Sequence, residues 1–158
     1  MAESSAMAKT RIPIDDLAQW LGREVATSDW LEITQERIDK FADAGGDHQW
    51  IHVDPERAAR ESPFGRTIAH GFLTLAVLSP LLGDSLEITG KRMGINYGLN
   101  RLRFPSPVPS GARVRARFVL GALEPLEGGV QTTWNVTVER EGEAKPALVA
   151  EWVTRHYR

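Results

Sequence analysis

An apolar segment at residues 72–83, FLTLAVLSPLLG, limits the folds open to this chain. Arranged as a helix, it is apolar nearly all round, which is typical of a helix buried on most of its sides. Pro80 is expected to kink this helix or to end its regular part, because proline lacks a backbone N–H. A chain of 158 residues can bury one compact core. We therefore expect the rest of the chain to enclose this helix.

Beyond Gly90 the apolar residues no longer recur at the spacing of a helix. Three segments alternate in polarity or are rich in β-branched and aromatic residues, which favours strands: residues 113–123, 130–140 and 147–157. The segments between them carry Pro, Gly and acidic residues, which suit exposed turns. The order predicts an α+β domain in which the buried helix lies against a curved sheet of consecutive antiparallel strands.

The first half of the chain shows helix signals. A helix is expected over 14–21, a strand over 30–33, a helix that Thr34 caps and Gly45-Gly46 ends, and a short helix that begins at Asp54-Pro55. We see no internal repeat and no linker. The predicted organisation is a loose tail over 1–10 and one domain over 11–158.

Composition excludes several classes of protein. The chain is 42% hydrophobic and 25% charged, which is typical of a globular protein, and its net charge of -2 makes nucleic acid an unexpected partner. The absence of cysteine excludes disulfides, thiolate zinc sites, iron–sulfur clusters and a cysteine nucleophile. No apolar run is long enough for a transmembrane helix, and the first residues lack the apolar core of a secretory signal. We expect a cytoplasmic protein without membrane contact.

One stretch, residues 41–73, holds three of the four histidines together with several acids and glycines. It contains a Gly46-Asp47 pair, a histidine five residues after that aspartate (His52), then Asp54, and a His70-Gly71 pair where the apolar helix begins. In this pattern the chain resembles the MaoC-like dehydratase family. The resemblance continues through Arg103-Phe104 and covers roughly residues 30–155.

The resemblance implies a hot-dog fold, in which an antiparallel sheet wraps a long helix, and a homodimer. It implies reversible hydration of a trans-2-enoyl-CoA thioester to the (R)-3-hydroxyacyl-CoA, with Asp47 and His52 as the catalytic pair. Gly71 would form the oxyanion hole, and Ser79 would line the site and support the pair. Gln49-Trp50 stands where the family commonly has Asn-Pro, as in its branch of nodulation-protein-N-like hydratases.

The chemistry gives a reason for such a set of residues. Hydrating a conjugated thioester requires a nucleophilic water at C3, a proton at C2 and a donor for the enolate oxygen. Asp47 is expected to act as the base on the water and His52 to orient it and share the proton transfer. The first amide of the buried helix, at Gly71, is free within the helix and can hold the thioester oxygen. The residues leave open which side chain protonates C2.

Other residues of the segment have structural explanations. Asp54 is expected mainly to cap the helix that follows it. His70 could ligate or catalyse, but it is expected to cap the buried helix and to hydrogen-bond the backbone, which fixes the loop. His48 is expected to be exposed or to lie at the pocket rim. His48 and His52 are four residues apart, a spacing that also occurs in metal sites on regular helices. The flanking glycines and proline favour a loop over such a helix. We therefore expect no metal.

Several residues are candidates for contact with substrate. Trp50 would lie beside the pair and shape the acyl tunnel, and Asn96 and Tyr97 would line the acyl pocket. Arg103 would meet the phosphates of coenzyme A, a role that Arg66 or Arg101 could also fill. No cofactor is expected, because coenzyme A is part of the substrate. The substrate could also be a thioester of an acyl carrier protein instead of coenzyme A.

Two other functions are compatible with the sequence. A hot-dog domain can instead hydrolyse acyl-CoA thioesters, although the aspartate-to-histidine spacing favours hydration. The domain could also be a non-catalytic module that binds acyl thioesters. Acyl length and the pathway served are not visible in the sequence.

Overall fold

The computed structural model describes residues 8–158. The chain enters through strand β1 (Thr10–Pro13), a 3₁₀ helix (Ile14–Trp20) and two short strands, β2 (Glu24–Thr27) and β3 (Leu31–Glu32). Most of the predicted tail, residues 1–7, lies outside the described residues, and Thr10 already belongs to β1. The structured part therefore begins slightly before the predicted boundary at residue 11.

Three helices follow: α1 (Gln35–Gly45), α2 (Trp50–Val53) and α3 (Pro55–Glu61). The predicted signals of α1 are confirmed, because Thr34 Oγ1 accepts the Arg37 N–H at 3.1 Å and Gly46 ends the helix at a φ of 82°. Asp54 likewise caps α3 by accepting the Arg57 N–H at 3.0 Å. Helix α2 was not predicted, since the segment between the glycines and Asp54 was expected to be a loop.

The apolar segment forms two consecutive helices, α4 (Gly71–Ala76) and α5 (Leu78–Ser85), joined at Val77. Because Pro80 has no N–H to offer Ala76, the hydrogen-bond ladder is interrupted there, as predicted. The inner face of both helices is buried, including Leu73, Val77 and Leu78. In the described part of the chain, every helix is too short or too polar to cross a bilayer.

The remaining strands are β4 (Leu86–Thr89), β5 (Met93–Arg103), β6 (Arg113–Leu126), β7 (Gly129–Arg140) and β8 (Leu148–Tyr157). Six strands form one sheet in the order β2-β6-β7-β8-β5, with β3 also paired to β6, and all these pairs are antiparallel. Strand β6 runs to Leu126, so the predicted turn at 124–129 is shorter than expected. Strands β1 and β4 form a separate parallel pair that the sequence pattern did not predict.

A row of large side chains across the sheet faces the core. Leu120, Trp134, Trp152 and Leu99 are consecutive register partners on β6, β7, β8 and β5. Leu120 and Trp134 are fully buried, whereas Leu99 on the edge strand is 39% exposed. The sheet therefore packs one face against α4 and α5, which confirms the predicted helix-on-sheet architecture.

A polar network is buried at the end of this sheet. His156 Nε2 lies 2.9 Å from Thr154 Oγ1 and 3.1 Å from Thr132 Oγ1, and the Trp134 indole N–H donates to Thr154 Oγ1 at 2.9 Å. Burial, with a smaller contribution from the cation Lys91, lowers the pKa of His156 from 6.5 to about 4. The imidazole is therefore neutral in the folded protein at neutral pH.

This shift predicts a pH dependence of stability. Between pH 6.5 and 4 the unfolded chain binds a proton at His156 that the folded chain excludes, so the free energy of unfolding falls as pH falls. The loss attributable to this residue is about 3 kcal/mol over that range. Urea unfolding across the range, compared between wild type and His156→Gln, measures it. Equal pH slopes in the two proteins would contradict the assignment.

Candidate active site

A sharp turn after α1 presents Asp47. Gly46 adopts the left-handed conformation that ends the helix, and the Asp47 carboxylate accepts the Gln49 N–H at 3.2 Å through Oδ1. The side chain of Asp47 remains 59% exposed. Its second oxygen, Oδ2, is therefore free to face a ligand.

His52 lies on α2 rather than on a loop, which corrects the sequence-based expectation. Its side chain is only 8% exposed, and its Nδ1 lies 2.7 Å from the Ile68 carbonyl oxygen. A carbonyl can only accept, so Nδ1 carries the hydrogen and donates it. In the neutral ring, Nε2 is then an acceptor, and it lies 3.9 Å from Asp47 Oδ2.

His70 supports both members of this pair. Its Nε2 lies 2.9 Å from the Asp47 carbonyl oxygen, to which it donates, and its ring stacks on His52 with centroids 3.9 Å apart and planes at 24°. Phe41 packs against the other side of His70 at 5.0 Å. The predicted backbone hydrogen bond of His70 is thus observed, whereas the prediction that its side chain caps the buried helix is wrong, because it forms no capping hydrogen bond at the start of α4.

The environment favours the neutral form of His52. Burial is the largest cause that lowers its pKa below the ordinary 6.5, and the nearby His70 acts in the same direction. The Ile68 carbonyl and the Asp47 carboxylate oppose these effects without reversing them. An acceptor lone pair on Nε2 is therefore available at neutral pH.

The distance between Asp47 Oδ2 and His52 Nε2 suits a shared water. At 3.9 Å it exceeds a direct hydrogen bond, yet one water oxygen can lie at about 2.8 Å from both atoms. Since both atoms are acceptors, such a water donates both hydrogens to them. Its lone pairs then point away from the protein, toward a bound substrate.

The same three side chains raise the question of a metal. Possible ligand atoms of Asp47, His52 and His70 all lie within 4.8 Å of one another. However, the two imidazoles are stacked nearly parallel, so their in-plane lone pairs run side by side instead of converging on one point. The arrangement suits a relay of hydrogen bonds better than a metal centre.

Gly71 begins α4 directly after His70. A Cβ at this position would lie 3.0 Å from two ring carbons of Phe104, which follows β5, so the helix start and the sheet edge meet here. Packing against Phe104 is thus one reason for glycine at this position, in addition to ligand approach. The role of the Gly71 amide as the oxyanion donor stays a prediction.

Two residues predicted to contact substrate lie away from the apolar cleft next to α4 and α5, so their contact with substrate stays a prediction. Trp50 does not line the cleft beside the helix; the Arg57 guanidinium lies over its ring at 4.4 Å, on the side of α3. Tyr97 lies on the opposite face of the sheet from Asn96, where Arg155 covers its ring at 3.5 Å. Neighbouring residues of a strand point to opposite faces, so only one of the two could face the helix.

The other predicted residues take different positions. Ser79 and Asn96 both line a cleft between the helices and β5, as expected of pocket residues. Asp54 caps α3, as expected. Arg103 is exposed at the end of β5, and its guanidinium donates a hydrogen bond to the Leu102 carbonyl oxygen at 2.7 Å. Its contact with the phosphates of coenzyme A stays a prediction. His48 pairs with Asp43 at 2.9 Å on the surface, away from the cluster.

Residues that the sequence did not single out hold α2 in place. Gln35 Nε2 donates to the His52 carbonyl at 2.8 Å, and the Thr67 hydroxyl donates to Gln35 Oε1. Ile68 supplies the carbonyl that fixes the His52 ring. The role of a backbone carbonyl leaves no signal in residue type, so sequence reasoning could not find it.

The cleft next to the site has a volume of about 450 Å³ and a largely apolar lining. It begins at Phe41, which contacts His70, and continues between the helices and the sheet. Its lining residues are Phe41, Phe72, Leu75, Ala76, Ser79, Asn96, Gly98, Leu99 and Trp152. An acyl chain is the kind of ligand that such a surface fits.

Comparison with known proteins identifies relatives over nearly the whole chain. A 3-hydroxyacyl-thioester dehydratase Z of Mycobacterium tuberculosis is 57% identical over 144 residues, which cover 90% of this chain and 95% of that protein. Nodulation protein N of Rhizobium leguminosarum bv. viciae is 51% identical over 146 residues and 90% of both chains.

A comparison with solved structures also identifies similar proteins. The (R)-hydratase from A. caviae involved in PHA biosynthesis superposes with a TM-score of 0.69 at 28% identity, covering 85% of this chain and 94% of that one. This likeness confirms the predicted hot-dog fold. The model of the MaoC like domain matches residues 16–141. The chain therefore belongs to the MaoC-like dehydratase family.

Proposed function

We propose that this protein is an (R)-specific enoyl-CoA hydratase, which adds water reversibly to a trans-2-enoyl-CoA. The observation that carries the proposal is the separation of 3.9 Å between Asp47 Oδ2 and His52 Nε2, beside an apolar cleft. The named activities of the relatives, a 3-hydroxyacyl-thioester dehydratase and an (R)-hydratase, support the same reaction class. An enoyl thioester of an acyl carrier protein has the same reacting group as an enoyl-CoA and differs only in the carrier attached to the thioester sulfur.

In the proposed mechanism, a water donates its hydrogens to Asp47 Oδ2 and His52 Nε2. Its oxygen attacks C3 of the enoyl thioester while one proton passes to Asp47, and the electron pair of the double bond moves toward the thioester oxygen. The enolate then takes that proton at C2, so water adds to one face of the alkene. His52 holds the second hydrogen, which stays on the new hydroxyl group.

The developing enolate oxygen requires a donor. We assign this role to the Gly71 N–H, which lacks an acceptor within its own helix and follows His70 directly. Water activation, proton return and oxyanion stabilisation are then all supplied by the protein. The proposed reaction needs no metal or organic cofactor.

We also propose a homodimer formed through β5. Among residues 8–158 this strand pairs only with β8, and its other edge is open. Leu99 on β5 is exposed, and so are Phe72 and Phe104 next to it, at 67% and 41%. An open edge with apolar neighbours is a surface that native proteins cover. A second copy fits because antiparallel pairing of two β5 strands is self-complementary.

The catalytic pair gives the first functional prediction. Asp47→Asn and His52→Ala should each lower kcat/KM for crotonyl-CoA by at least about a hundredfold, because an amide cannot take up the water proton and alanine offers the water no acceptor. Loss of the enoyl-thioester ultraviolet absorbance measures hydration, and thiol release in the same assay detects hydrolysis. Asp43→Asn, an exposed acid outside the site, is the control and should retain activity. Normal activity in Asp47→Asn would refute the assignment.

The pKa of His52 predicts an acid limit of activity. Protonated Nε2 cannot accept a hydrogen, so kcat/KM should fall as pH falls through the lowered pKa, below 6.5. His70→Gln removes a stacked ring that lowers this pKa, and it should move the acid limb to higher pH. The pH profile and NMR titration of His52 measure both. A purely structural role of His70 would reduce activity without moving the midpoint.

The dimer proposal predicts the effect of one charged substitution. Phe72→Glu places a charge in the exposed apolar patch and should shift the protein from dimer to monomer in sedimentation velocity. Leu21→Glu changes another exposed apolar residue, 46% exposed and away from β5, and should leave the dimer intact. A monomeric wild type, or a dimeric Phe72→Glu, would overturn the proposed interface.

A further inference from the structure

A second cavity of about 180 Å³ adjoins the cleft. The two spaces share Ser79, Asn96 and Trp152 on their walls. The second cavity lies between α5, β4, β5 and β8, and unlike the cleft it is lined by two basic side chains, Lys91 and His156. The cleft reaches Phe41, which packs on His70, and His70 stacks on His52, so the cleft lies between the surroundings of the proposed catalytic pair and this basic end.

The buried imidazole of His156 has an unused atom at this cavity. His156 is 3% exposed, and its Nδ1 has no hydrogen-bond partner. Nε2 lies within hydrogen-bond distance of two hydroxyls, those of Thr154 and Thr132, and either of them can donate to it. The ring hydrogen then lies on Nδ1 and is a donor without an acceptor. A buried group of this kind normally has a partner.

Lys91 faces the same space. Its Nζ and His156 Nδ1 each lie 3.5 Å from the point where a Cβ would stand on Gly94, so glycine keeps the space between them open. Within the described part of the chain, Lys91 forms no ion pair with a carboxylate. Burial lowers its pKa most, and a second cation, Lys9, acts in the same direction. The polar end of the cavity thus offers donors and positive charge.

We propose that this cavity binds a carboxylate at the far end of the acyl chain, with Lys91 Nζ and His156 Nδ1 as its donors. A carboxylate only accepts hydrogen bonds, so it satisfies both nitrogens at once. The inference rests on the proposed function, since the acyl chain must start at the catalytic pair. The preferred substrates are then enoyl thioesters that carry an ω-carboxylate, in addition to those that end in a methyl group.

The test compares two series of trans-2-enoyl-CoA substrates of matched length, one ending in methyl and one in carboxylate. At the length that reaches the cavity, Lys91→Met should lower kcat/KM for the carboxylate substrate by about tenfold and leave the methyl substrate nearly unchanged. Arg92→Met removes the neighbouring charge, which does not line the cavity, and should leave the ratio of the two unchanged. Gly94→Ala should act like Lys91→Met, because its methyl group fills the space between the nitrogens.

The outcomes separate this inference from the proposed function. If methyl substrates are hydrated but neither Lys91→Met nor Gly94→Ala changes the ratio at any length, the carboxylate site is refuted and the cavity holds only water. If no enoyl-CoA is hydrated, the hydratase proposal fails. Calorimetry with saturated ω-carboxyacyl-CoA then decides the site independently: wild type should bind it about tenfold more tightly than Lys91→Met, and equal affinities would refute the site.

Discussion

The hydrogen bond from His52 Nδ1 to the Ile68 carbonyl determines how the site can work. It fixes the tautomer of a buried imidazole and leaves Nε2 as an acceptor toward Asp47. Ile68 is itself held in place, because its N–H donates to the Ile51 carbonyl at 3.0 Å and it forms a bridge with Pro109. The orientation of the catalytic ring is therefore set by backbone pairing between distant segments.

The sheet and the catalytic segment meet at the start of the buried helix. Phe104, at the end of β5, occupies the space beside Gly71 that any side chain would need. The next residue back, His70, holds the Asp47 carbonyl and stacks on His52. Direct contacts thus connect Phe104, which follows the edge strand β5, with the start of the buried helix and with the proposed pair of Asp47 and His52.

The parts of this fold that depend on local chemistry were predictable from the sequence. Thr34, Gly46 and Asp54 cap helices through atoms of their own or of near neighbours, and the break before Pro80 follows from a missing N–H. The parallel pairing of β1 with β4 was not predictable, because it joins segments far apart in sequence, such as Ile12 and Ile88.

The same distinction applies to the site. The motif that carries the family resemblance paired Asp47 with His52, which lie 3.9 Å apart, and the fold it implied is confirmed. The role of Gly71 stays a prediction. Trp50 and Tyr97 were misplaced because proximity in sequence was taken for proximity in the pocket. Strand alternation directs Tyr97 to the other face, and a helix that was not predicted directs Trp50 toward Arg57.

The unequal exposure of the catalytic pair has a chemical consequence. His52 is 8% exposed and Asp47 is 59% exposed, so burial acts on the imidazole far more strongly than on the carboxylate. Burial disfavours the charged imidazolium, which keeps Nε2 available as an acceptor. Exposure leaves the carboxylate oxygen within reach of water. The imidazole can therefore accept a hydrogen from a water that also reaches the Asp47 carboxylate, which is the arrangement that the proposed mechanism needs.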